Sequence, residues 1–139
     1  MKKILFAAFA LSILFTAACC KPNDQILVRF QNTTDSALEE TSMDFDETNK
    51  TFVGLIAAGE TTAYIPFDYF EAGFYPGGDY DHPTGSLNGK KDGVAFSAWY
   101  GNWCGTGVAY KQLEPGKYTL QVIQVGEDSL GFYQIRFIK

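Results

Sequence analysis

The sequence predicts an all-β chain folded as a single antiparallel β-sandwich of about seven to eight strands. Three observations carry that expectation. Apolar residues alternate with polar ones at period two in several segments, and Gly, Pro, Asn and Asp punctuate those segments. Outside the N-terminal stretch, nothing has the 3.6-residue apolar period of an amphipathic helix. At 139 residues the chain is one domain's worth, with room for one hydrophobic core.

Residues 26–31 place Ile26, Val28 and Phe30 on one side and Leu27, Arg29 and Gln31 on the other, as a half-buried strand does. Asn-Thr-Thr-Asp-Ser then turns the chain with side chains that bond their own backbone. In residues 38–45 the apolar positions Leu38, Met43 and Phe45 break strict alternation, which puts a β-bulge near Glu40. Residues 52–67 read as a hairpin turning at Ala58 and Gly59, where glycine supplies the positive φ of a tight turn. The segment from Phe67 to Asp92, dense in Gly, Asp and Pro, reads as a long loop. Pro115 and Gly116 suit the centre of a type II turn, after which Tyr118, Leu120 and Val122 share one side of a strand. Gly-Glu-Asp-Ser turns the chain once more, and Tyr133, Ile135 and Phe137 alternate in a closing strand.

The N-terminus has a different character. Met1, Lys2 and Lys3 form a positive start, and residues 4–15 are apolar apart from Ser12, the pattern of a secretory signal. The run is short of the about 20 apolar residues that a spanning helix needs. Ala17 and Ala18 lead directly into Cys19, with Cys20 behind it. This ending resembles the lipobox of bacterial lipoproteins, although Thr16 stands where leucine is commoner. The resemblance implies a signal peptide over residues 1–18, lipidation of Cys19, a tether over residues 19–25 and a sandwich domain over residues 26–139. It also implies a place in the envelope of a Gram-negative bacterium, lipid-anchored at the outer membrane. Two or three acyl chains together hold a protein stably, whereas one does so only marginally. Loss of Lys2 and Lys3 would move the net charge from −5 to −7. So acidic a domain is ill suited to nucleic acid, which requires clustered cations.

Two motifs behind that lipobox, "GLIAAGETTAY" and "LEPGKYTLQV", resemble those of small β-sandwich lipoproteins of the Bacteroidota. The second is similar to the Leu-x-Pro-Gly...Tyr corner of fibronectin type III and transthyretin-like sandwiches, with a spacing one residue shorter than the fibronectin pattern, and the sandwich expected is immunoglobulin/fibronectin- or transthyretin-like. The likeness implies that Tyr118 anchors a corner between strands.

Chemistry-bearing residues are few. His82 is the one histidine, and Asp79 and Asp81 beside it suggest a metal site. Their spacing matches neither a calcium loop nor a two-histidine zinc motif, so turn chemistry is the preferred reading and no metal or cofactor is expected. A Cys104–His82–Asp triad lacks any supporting signature, and the carboxylates Glu71, Asp79 and Asp81 form no distinctive pair. No enzymatic activity is therefore expected. Cys20 and Cys104 are read as free thiols: an oxidising compartment permits a bridge, but pairing needs Cα atoms within about 7 Å and Cys20 sits on the tether.

The aromatic segment 94–110 carries the functional expectation. Trp99, Gly101 and Trp103 share one parity, and Phe96, Ala98 and Tyr100 the other. A two-residue turn at Cys104 and Gly105 would set Trp103 opposite Thr106 and Trp99 opposite Tyr110. If the phenylalanine face is core, Trp99, Trp103 and Tyr110 form an exposed platform for a glycan or an envelope protein. The average burial of tryptophan favours the opposite arrangement, with both tryptophans inside. The function read from these residues is a non-catalytic glycan- or protein-binding accessory of the envelope. The alternatives are a purely structural envelope lipoprotein with no small-molecule ligand and, behind it, a metal-dependent hydrolase.

Cys19→Ala is expected to abolish acyl labelling and leave unprocessed precursor, whereas Cys20→Ala should do neither. Metabolic labelling with a fatty-acid analogue decides it, and labelling that survives the first change would remove the assignment.

Overall fold

The computed structural model describes residues 24–74, 80–100, 109–126 and 132–138. Among them lie eleven strands and no helix: β1 (Ile26–Asn32), β2 (Leu38–Asp44), β3 (Lys50–Ile56), β4 (Ile65–Phe67), β5 (Glu71–Phe74), β6 (Tyr80–Pro83), β7 (Ser86–Lys91), β8 (Val94–Ala98), β9 (Ala109–Gln112), β10 (Gly116–Val125) and β11 (Phe132–Ile138). Eight form one sheet in the order β3-β2-β7-β8-β11-β10-β1-β4, and three form a small sheet in the order β6-β5-β9.

The all-β expectation holds, but the purely antiparallel one does not. β1 runs parallel to β10 over its whole length, from Ile26 opposite Gly116 to Asn32 opposite Val122, and β11 meets β8 in parallel at Tyr133 and Ala98. The large sheet is therefore mixed, and it curls until its two end strands approach one another. The turn between β3 and β4 makes that approach. Glu60 N donates to Ala57 O, and Gly59 sits at φ +74°. The expected turn is thus present, yet it joins strands at opposite ends of the sheet rather than a hairpin: β3 pairs with β2, and β4 with β1.

Asn32, at the end of β1, ties this closure together. Its backbone N donates to Glu60 O and its carbonyl accepts from Gly59 N, both at 2.9 Å. Its Nδ2 donates to Ser36 O at 2.8 Å and to Ile56 O, the last residue of β3, at 2.9 Å. Its Oδ1 accepts from Thr34 N and Thr34 Oγ1. The side chain is fully buried with every donor and acceptor engaged, which is what makes a buried amide tolerable.

The alternation read in the sequence fills the inside of the curled sheet. Val28, Phe30, Leu120, Val122 and Ile135 are fully buried. β2 carries the expected bulge: Glu40 has φ 50°, and the pairing of β2 slips on both sides around it. Tyr118 anchors its corner, donating from its hydroxyl to Glu114 O at 2.9 Å. Burial, with Tyr80 and Glu114 nearby, pushes that hydroxyl's pKa up and keeps it a neutral donor. Gly116 differs from expectation, because it opens β10 without a positive φ, and its N–H donates to Gln25 O. The segment from Phe67 to Asp92 is the larger correction. It holds β5, β6 and β7 instead of one long loop.

The small sheet packs on the inner face of β10 and β11. Tyr80 meets Tyr118 edge-on at 5.8 Å and Phe137 at 6.1 Å, and Phe70 lies 6.2 Å from Phe137 and 5.1 Å from Phe67. Aromatic pairs at these separations and tilts add to the stabilisation from area burial.

Replacing Asn32 with Leu is expected to cost about 3 kcal/mol or more, because Ile56 O, Ser36 O and Thr34 would lose a buried partner together. Gly59→Val should cost about 1 kcal/mol or more through its left-handed φ, while Gly116→Ala, with no such constraint, should not lower stability. Urea denaturation of the three variants checks both expectations.

Candidate aromatic cleft

The small sheet sets three residues in one row. Gly73 on β5 pairs with His82 on β6 and with Tyr110 on β9, so the three share a face. Because the middle position has no side chain, the flanking rings approach edge to face, with centroids 6.4 Å apart. Glu71, two residues before Gly73, falls on the same face. Its backbone carbonyl accepts from Thr84 N and Thr84 Oγ1, which pins the corner after β6.

Beyond Ala98 the chain leaves β8 and crosses this row. Tyr100 lies flat on His82, with ring centroids 4.1 Å apart and planes inclined by 8°. His82 is 5% exposed, and its Nδ1 lies 3.0 Å from Asp81 Oδ2. Trp99, Tyr100, Tyr110, His82, Glu71 and Thr84 line a cleft of about 310 Å³, completed by Pro83 and Gly85. The Glu71 carboxylate accepts from Tyr69 O–H at 2.9 Å, an arrangement that raises the tyrosine's pKa and orients the carboxylate.

The structure bears on the two arrangements at Phe96, Ala98 and Trp99. Phe96 is 9% exposed and Ala98 fully buried, whereas Trp99 is 49% exposed. The preference for tryptophan inside is overturned at Trp99, because β8 turns its phenylalanine face inward, where Phe96 packs on Tyr133 at 5.1 Å. Trp99 and Tyr110 do share one site, but not by cross-strand pairing: Tyr110 pairs with Gly73, not Trp99, and their meeting is made by one sheet docking on the other. Trp103 and Cys104 lie outside the described residues, as do Cys19, Cys20 and Asp79.

His82 and Asp81 contact each other, and among the described residues no three His, Cys, Asp or Glu side chains are placed to hold a metal ion. Asp81 is engaged with His82 and is not part of the cleft lining, where Glu71 supplies the carboxylate. Tyr100 is the residue that reading by parity missed. In an extended strand it belongs to the face of Phe96, and only the end of β8 at Ala98 frees it to stack on His82. The cleft can hold the apolar face of a small ring against an aromatic wall while Glu71 accepts hydrogen bonds.

These features define an all-β protein with a mixed, nearly closed sheet, a second three-stranded sheet and an aromatic cleft against the latter. No family model matches the chain, and no curated protein matches it. Among solved structures, it is similar to the NMR structure of a protein from Eubacterium rectale, with a TM-score of 0.51 and 10% sequence identity. The alignment covers 86% of this chain and 93% of that one. At that identity the likeness shows the fold alone.

Trp99→Ala is expected to cost no more than about 1 kcal/mol of stability, as for a half-exposed side chain. Phe96→Ala should cost about 3 to 5 kcal/mol. Denaturation curves of the two variants measure the difference, and a comparable loss at Trp99 would place it in the core.

Proposed function

We propose that this chain is a lipid-anchored protein of a Gram-negative cell envelope, one of the small β-sandwich lipoproteins of the Bacteroidota type, with a non-catalytic role in binding glycans. The lipobox-like run ending at Cys19 supports the anchor. The observation that carries the binding role is the joining of Trp99, Tyr110 and the stacked pair His82 and Tyr100 around one cleft of about 310 Å³. That volume suits a small ligand or part of a larger one, and a few polar groups among aromatic walls are the usual make-up of such sites.

A sugar ring fits this chemistry from both sides. Its axial C–H face packs on an aromatic ring, and its hydroxyls donate to a carboxylate such as Glu71. The negative charge of Glu71 disfavours an anionic ligand, so the reading is a neutral glycan. Half-exposed Trp99 gives a flat apolar surface without the ordering cost of a flexible side chain.

Titrating the purified chain with a panel of neutral oligosaccharides, followed by tryptophan fluorescence and calorimetry, tests the proposal. Trp99→Ala and Tyr110→Ala should each weaken binding about 30-fold, equivalent to roughly 2 kcal/mol at an aromatic hot spot. A chain that binds no member of the panel would favour the purely structural envelope role.

A further inference from the structure

We infer that the outer face of β4, β1, β10 and β11 is a docking surface for the anionic phospholipid headgroups of the membrane that holds the chain. The inference rests on the proposed tether at Cys19 and goes beyond it by assigning the domain a membrane-facing side.

The distribution of charge supports it. Acidic residues outnumber basic ones 16 to 11, yet these four adjoining strands contain no Asp or Glu. They contain Arg29, Lys117 and Arg136. Elsewhere among the described residues each lysine has a carboxylate close by: Lys50 with Asp44 at 3.1 Å, Lys90 with Glu40 at 2.8 Å, Lys91 with Asp35 at 2.7 Å and Lys111 with Glu114 at 3.6 Å. Arg29, Lys117 and Arg136 make no ion pair among the described residues.

Register puts the three cations on the same side. Leu27 pairs with Lys117, Arg29 with Thr119, and Gln121 with both Gln31 and Arg136. Paired and alternate residues share a face, so all three project opposite to Val28, Phe30 and Leu120 of the core. Neutral groups hold them in place without cancelling their charge. Arg29 Nε donates to Thr119 Oγ1 at 3.0 Å, and Tyr64 lies between Arg29 and Lys117, at 5.0 and 5.2 Å from its ring centroid. Arg136 donates from Nε and Nη2 to Gln121 Oε1, while Gln121 Nε2 donates to Gln31 Oε1. Fixed guanidinium groups with open donors are suited to phosphate oxygens.

The site of attachment brings this face to the lipid. β1 begins at Ile26, one residue before the Leu27–Lys117 pair. Residues 19–25 span at most about 25 Å when extended, so an anchored chain keeps the cations near the headgroups at a high effective concentration. The acidic remainder of the domain is repelled by the same surface, which orients the molecule with the cations facing inward.

Vesicle sedimentation of the full-length chain tests the assignment. At limiting lipid, Cys19→Ala, which lacks the acyl chains, is expected to partition more onto vesicles of equimolar phosphatidylglycerol and phosphatidylcholine than onto phosphatidylcholine alone, with the preference falling as salt is raised. Arg29→Gln, Lys117→Gln and Arg136→Gln should each lower that preference about fivefold, while Lys50→Gln leaves it unchanged. Lys117 is exposed, so its variant keeps the test open if Arg29→Gln fails to fold. Equal partition of Cys19→Ala onto both vesicles, or an equal loss from Lys50→Gln, would overturn the inference. Failure of the anchor reads out separately, as binding to neutral vesicles that Cys19→Ala does not change.

Discussion

The buried amide of Asn32 is the constraint on which the architecture turns. A sheet of eight strands that curls has two edges to dispose of, and an open edge leaves backbone donors and acceptors without partners. Here the last residue of β1 receives the turn between β3 and β4 through its backbone, and reaches the end of β3 through its side chain. Were the amide unsatisfied, its burial would cost more than a hydrophobic residue there contributes. Fully bonded, it favours this closure, because a one-residue slip of β1 would turn the side chain to the other face, away from these carbonyls and donors.

That closure determines where the second sheet sits. The chain leaves the turn along β4, beside β1, and Phe67 and Phe70 enter the core directly after it. Phe70 then faces Phe137 while Tyr80 meets Tyr118 and Phe137, so the small sheet is held on the large one mainly by aromatic edges. The cleft follows from this docking. One face of the small sheet turns Ala72 into the core, and the other offers His82, Gly73 and Tyr110 to the segment that carries Trp99 and Tyr100. Core packing and the cleft thus use opposite faces of the same three short strands.

Charge is divided between the β4-β1-β10-β11 side of the large sheet and the rest of the molecule. The lysines of β3, β7 and β9 are answered by carboxylates, and the cations of β1, β10 and β11 by hydroxyl, amide and ring. Exposed ion pairs contribute little to stability, so this division bears more on what each side can approach than on folding. The aromatic cleft and the cationic face arise from different strands, and the molecule has room for both.

Local chemistry was legible in the sequence. Alternation identified Ile26, Val28, Phe30, Leu120, Val122 and Ile135 as inward, the broken pattern around Glu40 marked the bulge, Gly59 marked its turn, and Tyr118 marked its corner. Each depends on residues within a few positions of one another. What was not legible depends on partners far apart in the chain. β1 and β10 lie side by side in parallel although about 90 residues separate them, and no local pattern distinguishes that pairing from an antiparallel one. The strands β5 and β6, four residues each, are too short to show a period among their Gly, Asp and Pro neighbours, so they read as loop. Trp99 followed the same logic. Period two said that Phe96 and Trp99 lie on opposite faces, but a strand has no inside until another layer covers it, and it was the packing of Phe96 on Tyr133 that turned Trp99 outward.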